Sequence, residues 1–443
     1  MTTNKLTADM ISILFSLILI MTCSEGKSQF SLDMFLQGDI LNFLHTKDPG
    51  LVRVRRMDAN KRMMNNTVLD FIGMVEQYGY PAEEHNVTTE DGYNLIIHRI
   101  PRSPLLDNNV KKEIVFFEHG LTASSDTWVF YGPKKDLAFL LADQGYDVWI
   151  GNMRGNTYCR SHVNLTTNDR KFWQYSYHEV GTKDLPAIFE YVFRYTDQKD
   201  LYYIGHSMGT TSLFALLSTK PEYNEKIKMA ICLSPVVIWM ETLRITYELV
   251  QILPVLKPFL EKHKIYDVFP QSLTTLMLAK LINDNVITQS IVITIIFSIA
   301  GADLAQLNIT SLPELISHCP AGSSVQAFEH YYQNILTKNF RQYDYGMDEN
   351  YRRYQQKTPP EYNLKKVTAP IVLFYAENDF LVSKQNVYEL SKRLPNVLLT
   401  EKVPYKFFNH LDYVIAIDAK TLLYDRILEL IQKFDTNQNI SLK

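Results

Sequence analysis

The chain contains 443 residues, of which 46% are hydrophobic and 21% are charged, a composition typical of globular proteins. This length can form one large domain with insertions, or two domains. The formal net charge is only -3, and no basic stripe or nucleic-acid motif is present, so nucleic acid is excluded as an expected partner.

Residues 1–26 have the features of a secretory signal peptide. A positively charged residue precedes a short apolar block at residues 11–21, and small or polar residues follow the block. A membrane span needs about 20 apolar residues, so this block favours a cleaved signal over the alternative of an uncleaved anchor. We expect cleavage within residues 24–27, delivery to the extracellular space or the lysosome, and no transmembrane span.

The sequons and cysteines agree with export. Five Asn-x-Ser/Thr sequons are predicted glycosylation sites: Asn65, Asn86, Asn164, Asn308 and Asn439. Once Cys23 is removed with the signal, the remaining cysteines are Cys159, Cys232 and Cys319. At most one disulfide can form among them, so no disulfide framework is expected. Cys232 lies in an apolar run and is expected to be buried and unreactive.

Residues 27–68 are predicted to form a separate N-terminal segment without a recognisable motif. The segment contains a basic cluster from Arg53 to Arg62. We expect this cluster to be a solvated surface; propeptide cleavage between Arg55 and Arg56 is the alternative.

From residue 69 onward the chain alternates predicted strands and helices. Asp91 and Gly92 indicate a hairpin that leads into a strand at residues 93–100. Further strands are predicted at residues 113–118, 146–150, 201–204 and 229–233, with helices at residues 134–143 and 179–195. This alternation predicts an α/β fold with a mostly parallel central sheet and helices on both faces.

The pattern becomes mostly helical between residues 239 and 362, and strands return at residues 370–375 and 397–403 before a final helix at 422–434. We therefore predict a helical cap with a lid, residues 239–362, inserted between two parts of one core, residues 69–238 and 363–443. The most apolar cap stretch, residues 291–300, is too short to span a bilayer. It favours a buried cap helix; the alternative is a lid face that meets lipid.

Gly205-His206-Ser207-Met208-Gly209 stands between a predicted strand and a predicted helix. This is the G-x-S-x-G pattern of α/β-hydrolases, in which a strained turn exposes a nucleophilic serine. The pattern is short enough to arise by chance, but its strand-turn-helix context favours catalysis. Strand and helix should leave no room for side chains at Gly205 and Gly209.

A serine nucleophile needs a base and an acid that orients the base, in the chain order serine, acid, histidine. Asp379 follows the strand at residues 370–375 and is the predicted acid, with Glu377 as its competitor. His410 is the only histidine after Asp379 and is the predicted base.

The developing oxyanion needs two backbone N–H donors. Met208 follows the nucleophile and should supply one, and Leu121, in the loop after an early strand, should supply the other. His119 and His206 are expected to make structural hydrogen bonds rather than to catalyse. Metal-ligand spacing, phosphate loops and dinucleotide fingerprints are absent from the sequence, so we expect no metal and no cofactor.

Taken together, these motifs make the chain resemble the acid lipase family of animals, which includes gastric and lysosomal acid lipases and their insect relatives. The matching stretches are spread from about residue 69 to near the C-terminus: residues 79–85, 89–93, 98–101, 119–121, 151–158, 176–181, 184–187, 205–210, 320–324, 378–379 and 409–412. Cys159 and Cys319 depart from the pattern, because small polar residues are expected at both positions.

The resemblance implies an α/β-hydrolase that cleaves carboxylic esters of neutral lipids, such as triacylglycerol and cholesteryl ester, at a lipid-water interface. It places the triad on Ser207, Asp379 and His410 and the oxyanion donors on Leu121 and Met208. It also implies a peripheral contact with lipid. The alternatives are a soluble carboxylesterase of small esters, an acyltransferase, and a non-catalytic lipid-binding protein.

Overall fold

The computed structural model describes residues 52–55, 67–106, 113–242, 246–247, 251 and 253–436. The predicted signal peptide, most of the N-terminal segment, and the sequons at Asn65 and Asn439 lie outside these residues. Within them, no single helix is long and apolar enough to cross a membrane. One bent helix pair, Leu273–Asp284 with Val286–Ala300, reaches that length and composition only when the two are taken together.

A nine-stranded sheet forms the centre of the fold. Its strands follow the order β13-β12-β9-β8-β5-β6-β4-β3, with β7 paired to β4. The strands from β13 to β6 in this order are parallel, whereas β3, β4 and β7 pair in antiparallel fashion. The mostly parallel sheet predicted from the sequence is therefore confirmed. The strands, including two small separate pairs, are β1 (Val52–Val54), β2 (Thr67–Leu69), β3 (Glu83–Thr88), β4 (Tyr93–Ile100), β5 (Ile114–Glu118), β6 (Asp147–Ile150), β7 (Ser161–His162), β8 (Leu201–His206), β9 (Ile227–Leu233), β10 (Asp267–Val268), β11 (Ser323–Ser324), β12 (Ile371–Tyr375) and β13 (Val397–Lys402).

The helices cover both faces of this sheet and fill the segment between β9 and β12. The predicted hairpin at Asp91–Gly92 joins β3 to β4, and the predicted helices at residues 134–143 and 422–434 appear with shifted ends. The helices are α1 (Phe71–Glu76), α2 (Leu137–Asp143), α3 (Tyr177–Glu179), α4 (Leu185–Thr196), α5 (Met208–Thr219), α6 (Leu253–Lys262), α7 (Leu273–Asp284), α8 (Val286–Ala300), α9 (Leu312–His318), α10 (Val325–Thr337), α11 (Met347–Tyr354), α12 (Lys384–Arg393), α13 (Asp412–Ile415) and α14 (Asp425–Asp435).

Strand side chains alternate between two hydrophobic cores, one on each face of the sheet. Val115 and Phe117 of β5 join the core that contains α2 and α14, whereas Ile114 and Phe116 join the core that contains α4 and α5. A strand buried on both faces requires a continuous apolar run, which is why β5, β8 and β12 contain the apolar runs 114–117, 201–204 and 371–375. Parallel strands end at the same edge, so the loops after β5, β8, β9, β12 and β13 converge there.

The apolar stretch at residues 291–300 forms a helix, as predicted, but the helix is not buried. In α8 only Thr288, Val292 and Ala300 are buried, and Val286 and Ile287 are strongly exposed. The prediction of a buried cap helix is therefore wrong. The helix contacts the core through one side only, because within the described residues the neighbouring elements leave its other side uncovered.

The prediction that the basic cluster forms a solvated surface is wrong for Arg53. Its side chain is only 14% exposed, and its Nη1 lies 3.0 Å from Oδ2 of Asp126. The same Oδ2 lies 2.8 Å from Nδ1 of His318. A buried carboxylate requires a counter-charge, and β1 delivers that charge by pairing in parallel with β2. The residues that follow Arg55 in the cluster lie outside the described part of the chain.

Replacing Arg53→Met should destabilise the protein strongly, because Asp126 would lose its buried counter-charge. We expect a loss of about 3 kcal/mol in the free energy of unfolding, measured by urea denaturation. Arg55→Met is the matched control, because Arg55 is 58% exposed and its carboxylate partners are at least 3.6 Å away. The control should lie within about 0.5 kcal/mol of wild type. Equal effects of the two changes would contradict a special role for the buried pair.

Candidate active site

Ser207 occupies the sharp turn between β8 and α5. Its φ of 52° and ψ of -116° place it in a strained backbone region. A Cβ atom at Gly205 would lie 2.7 Å from the Tyr203 ring, and one at Gly209 would lie 2.5 Å from the carbonyl oxygen of Glu118. Side chains therefore do not fit at the two glycines, which confirms the steric interpretation of the sequence motif.

The structure brings Ser207, His410 and Asp379 together, although they lie far apart in the chain. Nε2 of His410 is 2.9 Å from Oγ of Ser207. Nδ1 of the same ring is 3.0 Å from each carboxylate oxygen of Asp379. The Nδ1–H donates to the carboxylate, which leaves the Nε2 lone pair facing the serine hydroxyl. All three residues are buried.

Asp379 is held in its charged form by the groups around it. Its Oδ1 accepts hydrogen bonds of 2.9 Å from the backbone N–H groups of Leu381 and Val382. Burial by itself raises the pKa of Asp379, but His410 and the hydrogen bonds outweigh burial, so the pKa lies below its ordinary value. The competing acid, Glu377, instead bonds to Lys402 at the surface.

Ser234 is part of this site and was missed by the sequence reasoning. It follows β9 directly and is fully buried. Its Oγ donates a hydrogen bond of 2.5 Å to Oδ2 of Asp379 and lies 2.9 Å from Nδ1 of His410. The sequence signal for it was its place directly after the predicted strand at residues 229–233.

The loop that carries Leu121 lies against the nucleophile. A Cβ atom at Gly120 would be 3.2 Å from the Cβ of Ser207. In the described chain, the backbone N–H groups of Leu121 and Met208 have no protein acceptor. Both N–H groups are therefore available to an acceptor from outside the described chain, and their role as oxyanion donors stays a prediction.

His119 and His206 both bond to backbone atoms, as expected. Nδ1 of His119 lies 2.8 Å from the carbonyl oxygen of Gly120, and its Nε2 accepts from the Met153 N–H at 3.2 Å. Burial lowers the pKa of His119 to about 4 and is the main cause that lowers the pKa of His206 to about 3, so both rings are neutral. Nε2 of His206 lies 2.9 Å from the carbonyl oxygen of His410 and supports the histidine loop.

The end of the exposed helix α8 contacts both loops that carry the triad. The carbonyl oxygen of Ala300 accepts from the N–H of His410 at 3.1 Å and from the N–H of Phe380 at 3.3 Å. Nδ2 of Asn378 donates to the carbonyl oxygen of Ala302 at 3.0 Å. The acid loop and the histidine loop are thus tied to each other through the cap.

Two buried carboxyl groups meet beside the histidine loop. Asp412 accepts from the N–H of Asn409 at 2.7 Å, and Asp303 accepts from the hydroxyl of Tyr405 at 3.3 Å. Burial and the neighbouring Asp303 raise the pKa of Asp412 to about 8, and burial also raises the pKa of Asp303. The pair therefore holds a proton at neutral pH, because two adjacent buried carboxylates cannot both ionise cheaply.

The remaining predicted sites are arranged as follows. Cys159, Cys232 and Cys319 are free thiols; Cys232 is buried, as predicted, and burial raises the pKa of Cys319 to about 12. The described residues contain no group of three or more His, Cys, Asp or Glu side chains that could hold a metal ion. Asn86 and Asn164 are exposed and Asn308 is partly exposed, and glycosylation at these residues stays a prediction.

Comparisons with known proteins agree with this arrangement. Residues 71–132 match the family described as a partial alpha/beta-hydrolase lipase region, and residues 113–413 match the alpha/beta hydrolase fold. Gastric triacylglycerol lipase of Bos taurus is 37% identical over 81% of this chain and 89% of its own length. Lipase 1 of Drosophila melanogaster is 36% identical over 84% of this chain and 82% of its own length. Lipase 3 of the same organism is 36% identical over 82% of this chain and 92% of its own length.

The shared proton predicts a stability that falls as the pH rises. The folded pair binds a proton that the unfolded chain releases above its ordinary carboxyl pKa, so stability is lost as the pH rises towards about 8. In Asp303→Asn, we expect the decrease in unfolding free energy between pH 5 and pH 8 to be smaller by about 1–3 kcal/mol.

Thermal and urea unfolding across this pH range will measure the difference. Asp348→Asn is the control, because Asp348 is an exposed carboxylate. The control should keep the pH dependence of the wild type. An unchanged pH dependence in Asp303→Asn would show that Asp303 does not contribute to the raised pKa of Asp412.

Proposed function

Since the chain belongs to the α/β-hydrolase lipase family, we propose that it hydrolyses carboxylic esters of neutral lipids, with triacylglycerol and cholesteryl ester as the substrate class. The observation that carries this proposal is the contact series from Ser207 through His410 to Asp379, with distances of 2.9 and 3.0 Å. The relatives named as lipases support the choice of a lipid ester over a small soluble ester.

The geometry supports a two-step acyl-enzyme mechanism. His410 takes the hydroxyl proton as Oγ of Ser207 attacks the ester carbonyl, and the resulting imidazolium is stabilised by Asp379. The N–H groups of Leu121 and Met208 stabilise the oxyanion. His410 then returns the proton to the leaving alcohol, which departs. Water, activated by the same histidine, cleaves the acyl-enzyme and releases the fatty acid.

The exposed apolar side of α7 and α8 supports contact with a lipid surface. Met277, Val286, Ile287 and Ile299 are exposed on this helix pair. Apolar side chains exposed on neighbouring helices favour an interaction site, and the substrate of a lipase is itself an apolar phase. We therefore place the peripheral lipid contact on this helix pair, without insertion across a membrane.

The proposed location is the extracellular space or the lysosome, reached through the predicted signal peptide. The sequons support this location, because Asn86 and Asn164 lie on the surface, where glycosylation enzymes could reach them. Mass spectrometry of the protein secreted from animal cells, before and after removal of N-glycans, would test both the mature N-terminus and the glycosylated residues.

Replacing Ser207→Ala should abolish ester hydrolysis, because no other nucleophile occupies the turn. We expect kcat to fall by at least about 10⁴-fold. The measurement is a panel of triacylglycerol, cholesteryl ester, phospholipid and a short-chain ester, assayed from acidic to neutral pH. Ser212→Ala is the matched control, because its buried hydroxyl has no hydrogen-bond partner within the described residues.

The panel separates the proposal from its alternatives. Activity that does not rise when the substrate passes from monomer to emulsion would favour a soluble carboxylesterase. Product analysis with an added alcohol acceptor detects an acyltransferase. Near-normal hydrolysis by Ser207→Ala would refute the mechanism, and lipid binding without hydrolysis by the wild type would indicate a non-catalytic binding protein.

Replacing Ile287→Glu should weaken hydrolysis of emulsified lipid and leave hydrolysis of a soluble short-chain ester unchanged. A charge on the patch opposes adsorption to an apolar phase but does not touch the triad. We expect a loss of about tenfold on emulsions, which corresponds to about 1.4 kcal/mol of adsorption energy. Leu105→Glu is the matched control, because Leu105 is 71% exposed and Ile287 is 68% exposed. Equal losses in both variants would place the lipid contact elsewhere.

A further inference from the structure

Ser234 contacts both the acid and the base of the proposed triad. Its backbone N–H donates to the carbonyl oxygen of Phe374 at 3.0 Å, which fixes the residue between β9 and β12. Its backbone φ is 51°, a value that residues other than glycine rarely adopt. This conformation turns the Ser234 side chain towards the triad. The resulting distances are 2.5 Å from Oγ to Oδ2 of Asp379 and 2.9 Å from Oγ to Nδ1 of His410.

We propose that Ser234 is a positioning residue of the hydrolase reaction, whose hydroxyl holds the Asp379 carboxylate charged and aligned against His410. This inference rests on the proposed function and adds a fourth side chain to its machinery. Ser234 does not touch the reacting atoms. It acts through Asp379, which in turn orients the ring that takes the proton of Ser207.

The two oxygens of Asp379 differ in their hydrogen bonds, and this difference gives Ser234 its importance. Oδ1 has two backbone donors, the N–H groups of Leu381 and Val382. Oδ2 has only the Ser234 hydroxyl besides the imidazole, within the part of the chain that the structure describes. A buried carboxylate oxygen that loses its donor carries the full cost of desolvation. Loss of Ser234 should therefore let Asp379 turn or take up a proton.

The same contact predicts the direction of a pH effect. Without the Ser234 hydroxyl, the pKa of Asp379 should rise, so a higher pH is needed to keep the carboxylate charged. A carboxylate that has lost a donor also attracts a protonated imidazole more strongly, and this effect acts in the same direction. The other titratable groups that face the pair are His206 from β8 and Asp412 and Tyr413 from α13.

The test is a kinetic comparison of Ser234→Ala with wild type on a soluble short-chain ester. We expect kcat to fall about tenfold with KM nearly unchanged. The acid limb of the pH profile of kcat/KM should move to higher pH by about one unit. Ser234→Thr keeps a hydroxyl and should restore part of the rate and the acid limb.

Two further variants separate positioning from folding. Ser234→Gly suits the positive φ and lacks the hydroxyl, so it should lose kcat as Ser234→Ala does while unfolding at a higher temperature than Ser234→Ala. Ser212→Ala removes a buried hydroxyl that has no partner within the described residues, and it should retain kcat and the acid limb. Thermal unfolding of each variant shows whether it is folded.

The outcomes distinguish this inference from the proposed function. Wild-type kcat and an unmoved acid limb in folded Ser234→Ala or Ser234→Gly would overturn the role of Ser234. A loss of kcat without a shift of the acid limb and without rescue by threonine would also overturn it. Activity that survives in Ser207→Ala would instead refute the proposed function itself, whatever Ser234→Ala shows.

Discussion

The site depends on keeping one carboxylate ionised away from water. Taking a carboxylate into a protein interior costs several kcal/mol unless hydrogen bonds and an opposite charge replace its hydration. Asp379 is buried, and it receives hydrogen bonds from Leu381, Val382, Ser234 and His410. These donors come from three separate loops, so the carboxylate can be charged only where the ends of β9, β12 and β13 meet. The sheet provides this meeting point because its central strands are parallel.

The same principle recurs on both sides of the site. Asp126, just beyond the oxyanion loop, is neutralised by Arg53 from a strand near the start of the described chain. The Asp303 and Asp412 carboxyls, behind the histidine loop, hold a proton instead of a counter-ion. The charge of Asp126 is thus compensated by a cation, and the charge of Asp379 by hydrogen-bond donors and an imidazole. The pair of Asp303 and Asp412 holds a proton instead. The proton on this last pair is lost as the pH rises towards about 8, and that dependence favours stability in acid.

The sequence predicted which three side chains would meet at the candidate site, because its signals are local. A nucleophile motif lies between a strand and a helix, and Asp379 and His410 each follow a strand in the expected order. The contact of Ser234 with Asp379 was not predicted, because a serine after an apolar strand resembles any polar turn residue. The burial of Arg53 was not predicted, because its partner Asp126 lies 73 positions away in the chain. The parallel pairing of β1 with β2 brings the two residues together. Residues 291–300 are the most apolar stretch of the predicted cap, and this composition indicated burial; which neighbours cover the helix is a tertiary property.

The carbonyl group of Ala300 limits how the cap can open. It accepts hydrogen bonds from the N–H groups of both Phe380 and His410. Displacing this end of α8 would therefore break its bonds to the acid loop and the histidine loop. An opening of the cap that preserves these bonds would have to move the start of α8, where the chain bends by 118° between Asp284 and Val286. In the proposed lipase, the exposed start of α8 would be the end that meets lipid, while its last residue stays bonded to the acid loop and the histidine loop.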